Sequence, residues 1–179
     1  MSPNRLAQIL QSVGNLLEKN LVLAPPINVE AIASALGIHV RKTPTDDEVS
    51  GFLLKQGEIS VIGVNALHHP NRQRFTIAHE IGHFMLDHFD EVHVDKAVIK
   101  LRDENSRKGI HKEEVEANRF AAELLMPREF LKQEISRGTL NDLLDDHGMQ
   151  QLAKRFQVSV QAMSNRLASL GYIASSDVG

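Results

Sequence analysis

The sequence predicts an α+β fold in which a small antiparallel sheet packs on helices and a helical C-terminal region follows. Short segments rich in β-branched residues alternate with helical periodicity up to Pro127, and only helical periodicity follows it. The length of 179 residues suits one compact domain, or one domain with a small appendage. We therefore predict a first domain over residues 1–127 and a helical region over residues 128–179 packed on it.

The elements before residue 70 follow from periodicity and from capping residues. Apolar residues recur at helical spacing in the first twenty residues, and Asn28 and Gly37 are typical of a helix start and a helix end. The predicted elements are an amphipathic helix over 1–20, a helix over 29–36, a strand over 38–42, and a hairpin of strands 51–55 and 58–64 that turns at Gln56-Gly57. Residues 65–73 are expected to be a loop.

The second half of the chain is predicted to be mostly helical. Thr76 is expected to cap a helix that ends near residue 88, and Met126-Pro127 to close another. The further predictions are an edge strand over 92–101, a mobile loop over 102–112, and helices over 112–125, 128–136, 140–146, 150–156 and 160–170, the last capped by Ser159. The last two helices form a helix-turn-helix pattern.

Composition excludes several classes of protein. The chain has no cysteine, which excludes disulfides and thiolate metal sites and fits a reducing compartment. Its net charge of −3 gives no global signature of nucleic-acid binding. The sequence has no apolar run of the roughly 20 residues that a membrane helix needs and no uninterrupted apolar core of a signal peptide. We predict a cytoplasmic protein without membrane contact.

The most informative stretch is His79-Glu80-Ile81-Gly82-His83. Two histidines four residues apart lie on one face of a helix, about one turn apart, so both imidazoles can reach one metal ion. This HExxH pattern is typical of zinc proteases, in which the glutamate acts on the attacking water. Gly82 lowers helix stability and would let another element approach closely. The alternative is a solvated helix with two unconnected histidines.

A catalytic zinc usually takes three protein ligands, so the third is sought on the helix predicted at 112–125. Glu114 is the preferred candidate because Asn118 follows one turn later on the same face and can accept a hydrogen bond from a ligand histidine. Glu116 points in a different direction and is the alternative. The oxyanion of the transition state needs a further donor, for which the sequence offers His88, His111, His147 and Tyr172.

Two motifs in this order resemble the ImmA/IrrE family of metallo-endopeptidases. The matching segments are residues 74–83, which end in the HExxH motif, and residues 114–127, with weaker similarity outside residues 25–130. The resemblance implies a zincin-like domain in which His79, His83 and Glu114 hold Zn²⁺ and Glu80 is the catalytic base. It further implies a protein substrate, since the better-studied members cleave a helix-turn-helix transcriptional repressor and so derepress its genes.

Two other classes of function stay open at this point. The chain could act as a non-cleaving regulatory or antitoxin-like binding protein, although such a protein has no use for Glu80. It could also be a DNA-binding regulator that uses the C-terminal helices. Their cations are Lys154, Arg155 and Arg166, and the second helix of the pair carries only Arg166, fewer than a basic recognition helix is expected to carry.

Overall fold

The computed structural model describes residues 1–46, 49–88, 92–96, 104–137 and 145–174. Within these ranges the helices are α1 (Pro3–Lys19), α2 (Val29–Ala35), α3 (Pro70–Leu86), α4 (Glu104–Leu125), α5 (Arg128–Arg137), α6 (Asp146–Phe156) and α7 (Val160–Ser169). The strands are β1 (Ile38–Thr43), β2 (Val49–Gln56), β3 (Ile59–Asn65) and β4 (Val92–Lys96). The predicted α+β class is confirmed.

The four strands form one sheet in the order β1-β3-β2-β4. The hairpin β2–β3 is antiparallel, as predicted, and β4 adds antiparallel to the outer side of β2. The prediction of an antiparallel sheet is wrong at one pairing, because β1 runs parallel to β3. The short hairpin turn forces β2 and β3 to be antiparallel, and β1 then joins the remaining edge of β3. Strand patterns in the sequence do not specify that choice of neighbour.

The start of α3 differs from the prediction. The expected loop over 65–73 is helical from Pro70 onward, and the cap is His69, whose Nδ1 accepts a hydrogen bond from the backbone N–H of Asn71 at 3.2 Å. Proline suits the first helical position because it needs no backbone hydrogen bond there. Thr76 is therefore not a cap; it lies inside the helix and is buried.

The expected loop over 102–112 is also wrong, since α4 begins at Glu104. A single Gly109 did not stop the helix, because one glycine lowers helix stability by only about 1 kcal/mol relative to alanine. The predicted helix over 140–146 lies mostly outside the described residues. Asp145 caps α6 through a hydrogen bond of 2.7 Å from the backbone N–H of Gly148.

Helix α3 lies very close to the sheet at Gly51. A Cβ atom at this position would collide with the side chain of Thr76 and lie 2.7 Å from the carbonyl oxygen of Gly63. Only glycine permits this approach, which is why the turn of α3 that precedes the histidines can pack directly on β2.

The hydrophobic core runs through both predicted regions of the chain. Its fully buried members come from α1, the sheet, α3, α4 and the C-terminal helices, and include Ile9, Ile62, Ile81, Phe120 and Phe156. The cap predicted for α7 is confirmed, because Ser159 Oγ accepts a hydrogen bond of 3.1 Å from the N–H of Ala162. The division of the chain at residue 127 stays a prediction.

Among the described residues, no helix combines the length and the apolar character needed to cross a membrane.

Candidate metal centre

The HExxH segment lies in the most deeply buried part of α3, where every residue from Thr76 to His83 is buried. His79 and His83 occupy successive turns, and their Nε2 atoms are 3.0 Å apart. Both rings therefore present their Nε2 atoms to the same point, as their spacing predicts.

Glu114 of α4 faces this point from the opposite helix. Its Oε2 lies 3.2 Å from His79 Nε2, and its Oε1 lies 3.4 Å from His83 Nε2. Ligand bonds of about 2.0–2.1 Å in a tetrahedral zinc site would place ligand atoms roughly 3.3 Å apart, and all three separations agree with this value. The donor set of two imidazoles and one carboxylate also suits zinc. The residues present therefore fit a metal ion.

The close crossing of α3 and α4 brings these side chains together. A Cβ atom on Gly82 would lie 3.1 Å from Phe120 Cβ and 3.2 Å from the Cα and carbonyl oxygen of Ala117. The prediction that Gly82 lets another element approach closely is confirmed, and that element is α4. Since Gly82 precedes His83 and Ala117 lies one turn after Glu114, the point of contact sets the separation of the candidate ligands.

Asn118 lies behind His79. Its Oδ1 is 3.1 Å from His79 Nδ1, so an Nδ1–H of His79 can donate to the amide oxygen and leave Nε2 without a proton. This is the geometry that a metal-ligand histidine requires. The ring of Phe75, 6.2 Å from that of His79, covers the same side.

Glu80 follows His79 on α3 and has no solvent exposure. It leaves the helix about 100° round from His79. The carboxylate of Glu114 is more accessible, at 27% exposure, which leaves the histidine–glutamate group open to solvent on one side. The catalytic role predicted for Glu80 and the ligand roles of the other three residues stay predictions.

Glu116, the alternative third ligand, takes part in a different cluster. Its Oε2 accepts hydrogen bonds of 2.8 Å from Arg5 and 3.0 Å from Nε2 of His88. Burial raises the pKa of Glu116, but the hydrogen bonds from Arg5 and His88 outweigh burial, and its pKa lies below the ordinary value. Burial lowers the pKa of His88 despite the neighbouring carboxylate.

Sequence reasoning missed the position of His88. The chain leaves α3 through Asp87, whose φ of 55° is left-handed, and folds back so that His88 Nδ1 lies 3.2 Å from His83 Nδ1. This position is on the side of His83 that faces away from Glu114, which excludes His88 as the oxyanion donor. No periodicity could have indicated it, because the contact depends on one backbone turn after the helix end.

The three cations of the C-terminal helices lie in different surroundings. Arg166 is buried, donates to Glu123 Oε2 and donates from Nε to the carbonyl oxygen of Met126 at 3.1 Å. Arg155 pairs with Glu134 at 2.9 Å. Lys154 is exposed. Two of the three cations on which the DNA-binding alternative depends are therefore held by glutamates.

Two cavities of about 870 and 830 Å³ lie beside the metal centre, not over it. Phe75 borders both, and Asn118 borders the second, so the cavities begin at the residues that contact His79. Helix α7 borders both cavities, and α6 borders the first. The C-terminal helices thus form part of the surface next to the histidines.

The fold and the donor set define a class of protein: an α+β domain with a candidate metal centre of two histidines and one glutamate on a pair of crossing helices. The IrrE N-terminal-like domain of the peptidase M78 family matches residues 33–168. The chain belongs to this family, and the resemblance to it that the sequence motifs indicate is confirmed. The match crosses residue 127 and begins after α1.

A solved structure described as a Mycobacterium tuberculosis transcriptional regulator is similar to this chain, with a TM-score of 0.60 and 15% sequence identity. The similarity covers 90% of this chain and 46% of that chain, so this chain spans about half the length of that protein. At this identity the likeness shows the fold alone. No curated protein matches the sequence.

Proposed function

We propose that the chain is a zinc-dependent endopeptidase that hydrolyses a peptide bond in a helix-turn-helix transcriptional repressor and so derepresses the genes under its control. The observation that carries the proposal is the meeting of His79, His83 and Glu114 beside the buried Glu80. Membership of a metallopeptidase family supports the same reaction class.

His79 and His83 would hold the metal through Nε2, and Glu114 through its carboxylate. Zn²⁺ bound there would polarise the scissile carbonyl and lower the pKa of a bound water to about 7. Asn118 keeps the proton of His79 on Nδ1, away from the ligand atom. Packing of α3 between the sheet and α4 holds the three side chains in place before any substrate arrives.

Glu80 would take the proton of the attacking water and later pass it to the amine that leaves. A carboxylate suits both steps because it accepts a proton when ionised and donates it when neutral. Its position directly after His79 on α3 supports this role.

The substrate assignment has separate support. The ImmA/IrrE resemblance implies a repressor substrate. The cavities bordered by Phe75 and by the C-terminal helices offer an apolar surface beside the histidines that could hold side chains next to the cleaved bond.

The test is incubation with a helix-turn-helix repressor, chosen first from proteins encoded near this gene, followed by mass spectrometry of the fragments. We expect Glu80→Gln to retain zinc and to lose about 10²- to 10⁴-fold in kcat, the usual contribution of general acid–base catalysis. Glu58→Gln in the exposed β2–β3 turn is the matched control and should cleave at the wild-type rate. Full activity in Glu80→Gln would contradict the mechanism.

The ligand assignment is tested by zinc content. His83→Ala and Glu114→Ala should each lose stoichiometric zinc. Retention of zinc by Glu114→Ala would contradict its role as a ligand and would favour Glu116. Zinc binding by the wild-type protein with no cleavage of any neighbouring repressor would favour a non-cleaving binding protein.

A further inference from the structure

We propose that Arg5, Glu116 and His88 are positioning residues for the metal centre: their hydrogen-bonded chain fixes the proton of His83 on Nδ1 and so presents Nε2 as a ligand. The inference rests on the metal site of the proposed function and not on any substrate. It assigns a role at the centre to α1, which lies outside the segment that matches the family.

The chain of contacts is continuous from the metal centre to α1. His83 Nδ1 lies 3.2 Å from His88 Nδ1, and His88 Nε2 lies 3.0 Å from Glu116 Oε2. Both Nε and Nη2 of Arg5 lie 2.8 Å from the same oxygen. The side chains of His88 and Glu116 are 4% and 2% exposed, so water has little access to compete for these bonds.

The carboxylate at the end of this chain favours one order of donors and acceptors. Arginine has no acceptor, so Glu116 Oε2 must accept from Arg5. An oxygen that accepts from arginine offers His88 a further acceptor, so the proton of His88 lies on Nε2. Its Nδ1 is then an acceptor, and the proton between the two histidines must lie on Nδ1 of His83.

This order has a consequence for the metal. A neutral histidine carries one ring proton, so a proton on Nδ1 leaves the lone pair of His83 Nε2 free to face Glu114 and His79. In this arrangement Arg5 Nη2, 3.2 Å from His88 Nε2, is a neighbour of that nitrogen and not its hydrogen-bond donor. The single contact with Asn118 holds the proton of His79 on Nδ1, as Arg5, Glu116 and His88 together hold that of His83.

Glu116→Leu is the most direct test because it removes the one oxygen that accepts from both Arg5 and His88. His88 then has no carboxylate acceptor at Nε2, and its ring proton is no longer held there. We expect the dissociation constant for Zn²⁺, measured by competition with a chromogenic chelator, to rise by about 10- to 100-fold. Glu129→Leu, the same change at an exposed position of α5, should bind zinc with the wild-type constant.

Nitrogen-15 NMR of the imidazole rings in the zinc-loaded wild-type protein gives a readout that needs no variant. We expect the ring proton of His88 on Nε2, which leaves its Nδ1 as the acceptor for the Nδ1–H of His83. A merely structural role for His88 does not require this tautomer.

Either of two results would overturn the proposal: an unchanged zinc dissociation constant in folded Glu116→Leu, or a ring proton on Nδ1 of His88 in the zinc-loaded wild type. An equal loss of affinity in Glu129→Leu would also overturn it, since the effect would then be one of charge. Failure of the proposed peptidase function gives a different pattern, in which zinc binding and proton positions follow the prediction but no repressor is cleaved.

Discussion

Two buried glutamates of α4, Glu116 and Glu123, lie two helical turns apart and each pairs with an arginine from another helix. Glu116 pairs with Arg5 of α1 and Glu123 with Arg166 of α7. The partners beyond each glutamate differ. Glu116 also bonds His88 and through it His83, whereas Oε1 of Glu123 accepts from the backbone N–H of Arg128 at 3.2 Å.

Two similar ion pairs on one helix therefore contact different parts of the molecule. The Arg166 pair connects α7 to the turn between α4 and α5, and every group it contacts is structural. The Arg5 pair connects α1 to the rear of a candidate metal ligand. We therefore expect loss of the first pair to lower stability and loss of the second to lower metal affinity.

The largest expected effect is that of Arg166→Met. It leaves the buried Glu123 without its cation and should lower the free energy of unfolding by about 3–5 kcal/mol. Burial already lowers the pKa of Arg166, and Glu123 opposes this shift. The measurement is urea denaturation of the metal-free protein, together with the zinc dissociation constant at a temperature where the variant is folded. We expect that constant to be unchanged.

The control is the double variant Arg166→Met with Glu123→Leu. Replacing a buried ion pair by apolar side chains is often neutral, so most of the lost stability should return. A higher zinc dissociation constant in folded Arg166→Met would contradict the proposed difference, because both ion pairs would then influence the candidate metal centre.

Gly82→Ala comes next in size. The added methyl group would lie against Phe120 and the backbone of Ala117, and overpacking costs roughly 1–3 kcal/mol, of which alanine's better helix propensity returns about 1 kcal/mol. Because α3 and α4 must move apart, Glu114 should leave His83 and zinc should bind more weakly. Thermal denaturation and chelator competition measure the two effects.

Gly14→Ala in α1 is the matched control, since a Cβ atom there meets nothing within 4 Å. It should raise stability by about 0.5–1 kcal/mol and leave zinc binding unchanged. Equal zinc affinity in Gly82→Ala and wild type would show that the close helix crossing does not set the ligand separation.

Arg5→Met has the smallest expected effect on stability. Its side chain is 27% exposed, so water can partly replace it beside Glu116, and the loss of stability should be smaller than in Arg166→Met. The zinc dissociation constant should nevertheless rise, though by less than in Glu116→Leu, because Glu116 still accepts from His88. Lys19→Met, on the same helix and with the same change of charge, should leave both quantities unchanged. A larger loss of stability in Arg5→Met than in Arg166→Met would contradict the expected difference between the two ion pairs.

The sequence was most informative where a local rule applies. Two histidines four residues apart must share a helix face, and Asn118 four residues after Glu114 must lie beside it, so the group that meets at the candidate metal centre could be predicted. Capping residues gave the ends of α2 and α7 for the same reason. The predicted starts of α3 and α4 were wrong. These helices begin at Pro70 and Glu104, because a loop-like composition does not exclude helix when tertiary packing favours it.

The parallel pairing of β1 with β3 and the place of His88 depend on contacts that no local rule describes. His88 lies outside the helix, and one left-handed residue, Asp87, turns it back toward His83. Arg5 is more than a hundred residues away from Glu116 along the chain, and a single sequence holds no signal that joins them.

The sequence by itself determined the chemistry: two histidines and an adjacent glutamate at helical spacing, a second helix with Glu114 and Asn118, and a family that these motifs identify. Only the tertiary structure decided which glutamate faces the histidines and which is held behind them. The physical reason is that Glu114 and Glu116 lie about 200° apart around α4. The close crossing at Gly82 turns one toward the metal centre and leaves the other to Arg5 and His88.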